Sequence, residues 1–83
     1  MTHIACEFDD HYYIRAHGRA PRGTGCWAFS ITHQGPEIEQ KVYWAPNGLT
    51  LIKAKKWMAN EARALALSIA PEYDGTIDIR ILS

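Results

Sequence analysis

The stretch Leu51–Ile69, LIKAKKWMANEARALALSI, decides the fold because its apolar residues recur at helical spacing. Thr50 supplies a residue that can cap the N-terminus of this helix. Pro71 disfavours helical geometry at the residue before it, so the predicted helix ends near Ile69 or Ala70. The apolar stripe comprises Leu51, Ala54, Met58, Ala62, Leu65 and Ile69.

Four other segments read as strands, because large apolar residues alternate in them with other types. The predicted strands cover residues 11–17, 26–32, 38–44 and 76–81. Short connections between the first three favour antiparallel pairing. The sequence therefore predicts a two-layer α+β domain of order β-β-β-α-β, with an antiparallel sheet and one long helix packed on one face.

Alternation also predicts which side chains meet the helix. The predicted inward set is Trp27, Phe29, Ile31, Ile77, Ile79, Ile81, Val42, Trp44, Tyr12 and Ile14. The predicted outward set, open to solvent or to a partner, is Tyr13, Arg15, His17, Ala28, Ser30, Lys41, Tyr43, Asp78 and Arg80.

Length and composition predict one domain over residues 1–83, with 47% hydrophobic residues to form its core. Nine basic and nine acidic residues cancel, which argues against a strongly basic nucleic-acid binder of histone type. No apolar run is long enough to cross a membrane, and the N-terminus lacks the pattern of a signal peptide. We therefore expect a cytoplasmic protein that has no membrane partner and whose two cysteines are reduced.

The neutral total hides a segregation of charge along the chain. Residues 11–36 contain three arginines and no acid, and residues 40–60 contain four lysines and no acid. The loop at 18–25, GRAPRGTG, places Arg19 and Arg22 among glycines, where guanidinium groups suit phosphate or carboxylate recognition. A glycine-rich connection with solvated charges is the alternative interpretation.

Two further surfaces carry cations. Lys53, Lys56, Asn60 and Arg63 share the helix face opposite the apolar stripe. On the outward sheet face, tyrosines beside basic residues could stack bases, anchor a protein partner, or only form cross-strand pairs. The predicted partner-binding residues are Tyr13, Arg15, Arg19, Arg22, Lys41, Tyr43, Lys53 and Lys56.

Patterns typical of catalysis or metal binding are missing from the sequence. The spacing of its cysteines and histidines matches no compact zinc motif. Ser30 lies in no nucleophile motif, and Gly23-Thr24-Gly25 lacks the rest of a phosphate-loop signature. The sequence therefore predicts a protein that is not an enzyme, with no catalytic residue, metal or cofactor.

The segment at 18–29, GRAPRGTGCWAF, resembles a pattern of small phage and prophage proteins, in which an arginine- and glycine-containing loop leads into a Trp-Ala-Phe strand. The resemblance covers roughly residues 15–62, because a helix led by a threonine follows, as at Thr50. In size, charge segregation and lack of catalytic motifs the chain is also similar to anti-CRISPR proteins. That likeness implies a phage- or prophage-encoded inhibitor, acting in the bacterial cytoplasm, that binds a host CRISPR effector complex and blocks its DNA-handling surface.

A second family is similar over the segment at 54–62, AKKWMANEA, which resembles the final helix of double-stranded-RNA-binding domains. In that family, lysines at the helix N-terminus meet phosphates across the groove. The alternative function is therefore a small nucleic-acid-binding protein that uses the basic loop, the helix N-terminus and the outward sheet face.

Overall fold

The computed structural model describes residues 4–33 and 41–82 of the chain. Within those ranges the protein is a small α+β fold with a mixed sheet and two helices. Its elements are β1 (Ile4–Asp9), α1 (His11–His17), β2 (Thr24–Gly25), β3 (Ala28–His33), β4 (Tyr43–Trp44), β5 (Leu49–Thr50), α2 (Leu51–Ile69) and β6 (Gly75–Ile81). The first part of the predicted strand at 38–44 lies outside the described residues.

The main sheet has four strands in the order β1-β6-β3-β4. β6 pairs in parallel with β1 and antiparallel with β3, and β3 pairs antiparallel with β4. The prediction of a wholly antiparallel sheet is therefore wrong. The chain passes through every other element between β1 and β6, and such a long crossover allows two strands to run in parallel. β2 and β5 form a separate two-stranded ladder.

The predicted strand at 11–17 is the helix α1, so the order β-β-β-α-β is not the one observed. The carboxylate of Asp9 accepts a hydrogen bond from the backbone N–H of His11 at 2.9 Å, at the start of the helix. Gly18, at φ 72°, ends it by donating its N–H to the carbonyl of Ile14 at 2.7 Å. An acid before a helix and a left-handed glycine after it are helix-end signals, and here they outweigh the strand propensity of Tyr12, Tyr13 and Ile14.

The prediction of the long helix is confirmed by α2. The Thr50 hydroxyl accepts a hydrogen bond from the Lys53 N–H at 3.3 Å, as expected of an N-cap. The buried face of α2 consists of small residues and one methionine: Ala54, Met58, Ala59, Ala62 and Ala66. Leu65 is only half-buried and Ile69 is 49% exposed, so the buried face is rotated from the predicted stripe.

The core lies between α2 and the central strands. Phe29 and Ile31 of β3 and Ile77, Ile79 and Ile81 of β6 are buried together with the alanines of α2, as predicted. Trp27 is also buried, and its indole N–H donates to the carbonyl of Leu49 at 3.1 Å.

The predicted facing is reversed in two segments, and Ala28 of β3, which was predicted to face outward, is also buried. Tyr43 is buried and Trp44 is 61% exposed, because the register pairs Tyr43 with inward-facing Phe29. In α1, Tyr13 is buried while Tyr12 and Ile14 are exposed, since helical geometry replaces the predicted alternation. Val42, which was predicted to face the helix, is 46% exposed. In the described part of the chain, no helix is long and apolar enough to span a membrane.

Candidate binding surface

The arginine loop is fastened to the start of α2. Thr24 pairs with Thr50 and Gly25 pairs with Leu49 in the β2–β5 ladder. Beyond the ladder, the Leu51 N–H donates to the Gly23 carbonyl at 2.9 Å. Two cationic segments that are separate in the sequence, the loop at 18–25 and the first turns of α2, therefore lie side by side.

One side of this junction is a polar cleft of about 210 Å³. Its lining consists of Tyr13, Arg19, Arg22, Thr24, Gly25, Cys26 and Trp27. Tyr13 and Trp27 are buried, with ring centroids 5.9 Å apart, whereas both arginines are exposed. Neither arginine forms an ion pair with any described residue. Two unpaired guanidinium groups at one cleft can bind a carboxylate or phosphate.

The other side is an apolar recess of about 350 Å³, lined by Pro21, Arg22, Gly23, Thr50, Leu51 and Ile52. Ile52 is 71% exposed, the largest exposed fraction among the large apolar side chains that the structure describes. Arg22 lines both the cleft and the recess, so cationic and apolar surface adjoin. We call this combined area, formed by Arg19, Pro21, Arg22 and Ile52, the loop–helix surface.

Further along α2, a second groove separates the helix from β1. It has a volume of about 290 Å³ and is lined by Phe8, Lys55, Lys56, Ala59, Asn60 and Arg63. The ammonium group of Lys55 lies 5.6 Å from the centroid of the Phe8 ring. The predicted basic helix face therefore divides, with Lys56, Asn60 and Arg63 in this groove and Lys53 outside its lining.

Of the other predicted binding residues, Arg15, Lys41 and Tyr43 are not among the described residues that line the cleft, the recess or the groove. Arg15 is exposed in the last turn of α1. Lys41 lies 5.2 Å from the centroid of the Tyr43 ring, and Tyr43 is buried. The expected pair of outward tyrosines is therefore not found, since Tyr13 and Tyr43 are both buried in the core, although Tyr13 also lines the cleft.

Two aromatic residues that the prediction placed inward are exposed instead. Trp44 is 61% exposed, and Tyr12 is 45% exposed with the guanidinium of Arg80 5.7 Å from its ring centroid. Alternation predicted Trp44 inward and Tyr43 outward, and because both residues are large aromatics, nothing in their side chains signalled the reverse.

Among the residues that the structure describes, Asp9 and Cys6 have pKa values shifted from those of the free side chains. The hydrogen bond from the His11 backbone, with the nearby His11 and Arg80 charges, lowers the pKa of Asp9. Burial raises the pKa of the Cys6 thiol, although Arg63 acts in the opposite direction.

In the ranges 4–33 and 41–82, no three His, Cys, Asp or Glu side chains form a group that could hold a metal ion. The chemistry that these surfaces offer is recognition of anionic groups.

Comparisons with protein families, curated proteins and solved structures found no match for this chain. Its function is therefore inferred from the surface itself.

Proposed function

We propose that the protein is a non-enzymatic binding protein whose loop–helix surface docks on an acidic surface of a protein partner. The observation that carries this proposal is the hydrogen bond between Leu51 and Gly23, with the adjoining β2–β5 ladder. These contacts hold Arg22 beside the first turns of α2. The loop is therefore already in place before a partner binds. Such preorganisation reduces the entropy that binding costs.

The apolar recess favours a protein partner over a nucleic-acid backbone. Ile52 and Pro21 adjoin Arg22 at the recess, and protein interfaces combine an apolar centre with arginine and a polar rim. A partner segment that carries one apolar residue beside carboxylates would match the recess and the cleft together.

The partner that we propose is a host CRISPR effector complex, which the protein inhibits as a phage- or prophage-encoded factor. The resemblance of the segment at 18–29 to phage proteins supports this choice. A DNA-handling surface is basic where it holds phosphates, but nuclease centres hold Mg²⁺ through carboxylates. Arg19 and Arg22 would complement such an acidic centre, and bidentate pairing with carboxylates is the geometry that arginine favours.

The test is phage plating on bacterial hosts that carry active CRISPR systems of different types, with the protein expressed in each host. We expect the parent chain to restore plating against one type. The variant Arg19→Gln/Arg22→Gln should lose at least about tenfold of that effect, because it removes the cations of the cleft.

The matched control is Ala64→Glu/Ser68→Glu, which changes the net charge by the same amount at exposed positions of α2. These positions lie about 20 Å and about 25 Å along the helix from its start at Leu51, given a rise of 1.5 Å per residue. The control should behave as the parent does. Failure of the parent to restore plating against any type would refute the proposed target, and a gel shift by the purified protein that Arg19→Gln/Arg22→Gln abolishes would favour direct nucleic-acid binding by the loop instead.

A further inference from the structure

The groove between α2 and β1 holds a concentration of positive charge that the loop–helix surface does not use. Lys55, Lys56 and Arg63 all line it, and none of the described residues that line it is acidic. None of the three forms an ion pair with a described acid. Three cations around one groove repel one another, so an anion bound there would relieve that repulsion as well as pair with them.

Arg63 is fixed in place by the backbone of β1. Its Nε–H donates to the Ile4 carbonyl at 3.1 Å, which orients the guanidinium group across the groove. This bond uses one of the five N–H donors of arginine, and the terminal nitrogens make no hydrogen bond with any described residue. The guanidinium is therefore oriented before a ligand arrives.

The cations lie in a row rather than in a cluster. Lys55 and Arg63 are eight positions apart on α2, which corresponds to about 12 Å along the helix axis. Cations spread over this length suit a ligand that carries several charges along its chain, such as the phosphates of a nucleic-acid strand. The Asn60 amide, which also lines the groove, can both donate to and accept from a base edge.

We propose that the groove between α2 and β1 binds a single-stranded nucleic acid, with phosphates on Lys55, Lys56 and Arg63 and a base beside Phe8 and Asn60. Phe8 is half-buried, and the Lys55 ammonium lies against its ring, so a cation and an aromatic surface are presented together. That pairing is typical of surfaces that hold single strands without sequence preference.

An extended peptide fits the same groove less well. A peptide strand would bind by adding to the edge of β1 through backbone hydrogen bonds. The Ile4 carbonyl on β1 already accepts from Arg63, so part of the edge is occupied. A phosphate strand needs no backbone acceptor from β1 and pairs with the side chains directly.

The proposal is tested by the fluorescence anisotropy of a labelled twelve-residue oligothymidylate in low salt. The two variants to compare, Lys55→Gln/Lys56→Gln and Arg19→Gln/Arg22→Gln, remove the same charge from the groove and from the loop. We expect the groove variant to bind at least about tenfold more weakly, and the loop variant to stay within about twofold of the parent.

Salt dependence gives a second readout. Three phosphate contacts predict a slope near −2 for the logarithm of affinity against that of salt concentration, since each contact with a single strand contributes about −0.7. The groove variant should flatten the slope to about −0.7. Arg63→Gln, checked for folding by circular dichroism, should weaken binding without abolishing it.

The proposal is overturned if the parent does not bind the oligonucleotide, or if the loop variant loses binding while the groove variant keeps it. Equal displacement by a polyglutamate of the same length would also overturn it, because the groove would then recognise negative charge in general. The proposed function is tested by the loop variant in the plating assay, whereas the groove is tested by the groove variant in the binding assay. The two proposals can therefore fail independently.

Discussion

The backbone N–H of Leu51 donates to the carbonyl of Gly23 at 2.9 Å, and this bond joins the first residue of α2 to the arginine loop. Gly23 has a φ of 87°, a left-handed conformation that favours glycine at this point of the loop. Arg22 directly precedes that glycine and Ile52 directly follows Leu51. One hydrogen bond thereby sets the spacing between the cation and the exposed apolar residue that we propose to meet a partner.

The first prediction concerns the core. Phe29 is fully buried, and its ring centroid lies 5.8 Å from that of Phe8 in an edge-to-face arrangement. Phe29→Ala should lower the free energy of unfolding by about 3–5 kcal/mol, because it removes apolar contacts and leaves a cavity. That is a large fraction of the stability of so small a domain.

The measurement is urea unfolding of both proteins, and the control is Trp44→Ala, which truncates an aromatic residue that is 61% exposed. We expect the control to change stability by less than about 1 kcal/mol. Equal losses from the two substitutions would contradict the facing described for β3 and β4.

A second prediction concerns pH. The hydrogen bond from His11 lowers the pKa of Asp9 in the folded protein, so the carboxylate stabilises the fold. This stabilisation is complete above the pKa of an ordinary aspartate in the unfolded chain, about 3.9, and is lost as pH falls through the lower folded value.

The substitution Asp9→Asn removes the contribution of the Asp9 carboxylate to the pH dependence of stability. The variant should be less stable than the parent near neutral pH, and the difference should shrink as the pH falls below about 4. Chemical unfolding at several pH values measures it, and comparing the two proteins cancels the titration of the other acids. A difference that stays constant with pH would show that the charge of Asp9 does not stabilise the start of α1.

The two cysteines should react at different rates. Cys26 is exposed, and its thiol donates to the Asn47 amide oxygen at 2.8 Å. Cys6 is half-buried and its pKa is raised by burial, so less of it is the reactive thiolate at neutral pH. Iodoacetamide labelling followed by mass spectrometry should modify Cys26 first, and Cys26→Ser should leave only the slow site. Equal rates for the two thiols would conflict with the packing of β1 against α2.

The long helix and the central strands could be predicted because several local signals agree there. Thr50 and Pro71 bracket a helical repeat, and Ile77, Ile79 and Ile81 alternate with polar residues in β6. Where the local signals for helix and strand conflicted, as at residues 11–17, the predicted element was wrong. The side chains of α1 favour a strand, but Asp9 and Gly18 supply the two helix ends.

Other features depend on distant parts of the chain. Parallel pairing of β1 with β6 joins residues more than seventy positions apart, such as Ile4 and Gly75, and no local pattern encodes it. Tyr43 and Trp44 are both aromatic, so only the register with β3 decides which is buried. The cations at Arg19, Arg22 and Lys56 were predicted from the sequence as candidate binding residues, but their division between the loop–helix surface and the groove was not.

The central claim is that the loop–helix surface docks on an acidic protein partner. Its most direct test uses the purified effector complex that the plating assay identifies. The affinity of this complex is measured for three proteins, which are the parent, Arg19→Gln/Arg22→Gln and Ala64→Glu/Ser68→Glu. We predict at least about tenfold weaker binding for the arginine variant, parental affinity for the control, and melting temperatures that stay close together because all four positions are exposed. Parental affinity in the arginine variant would contradict the claim, and the loop would then be only a solvated connection between α1 and β3.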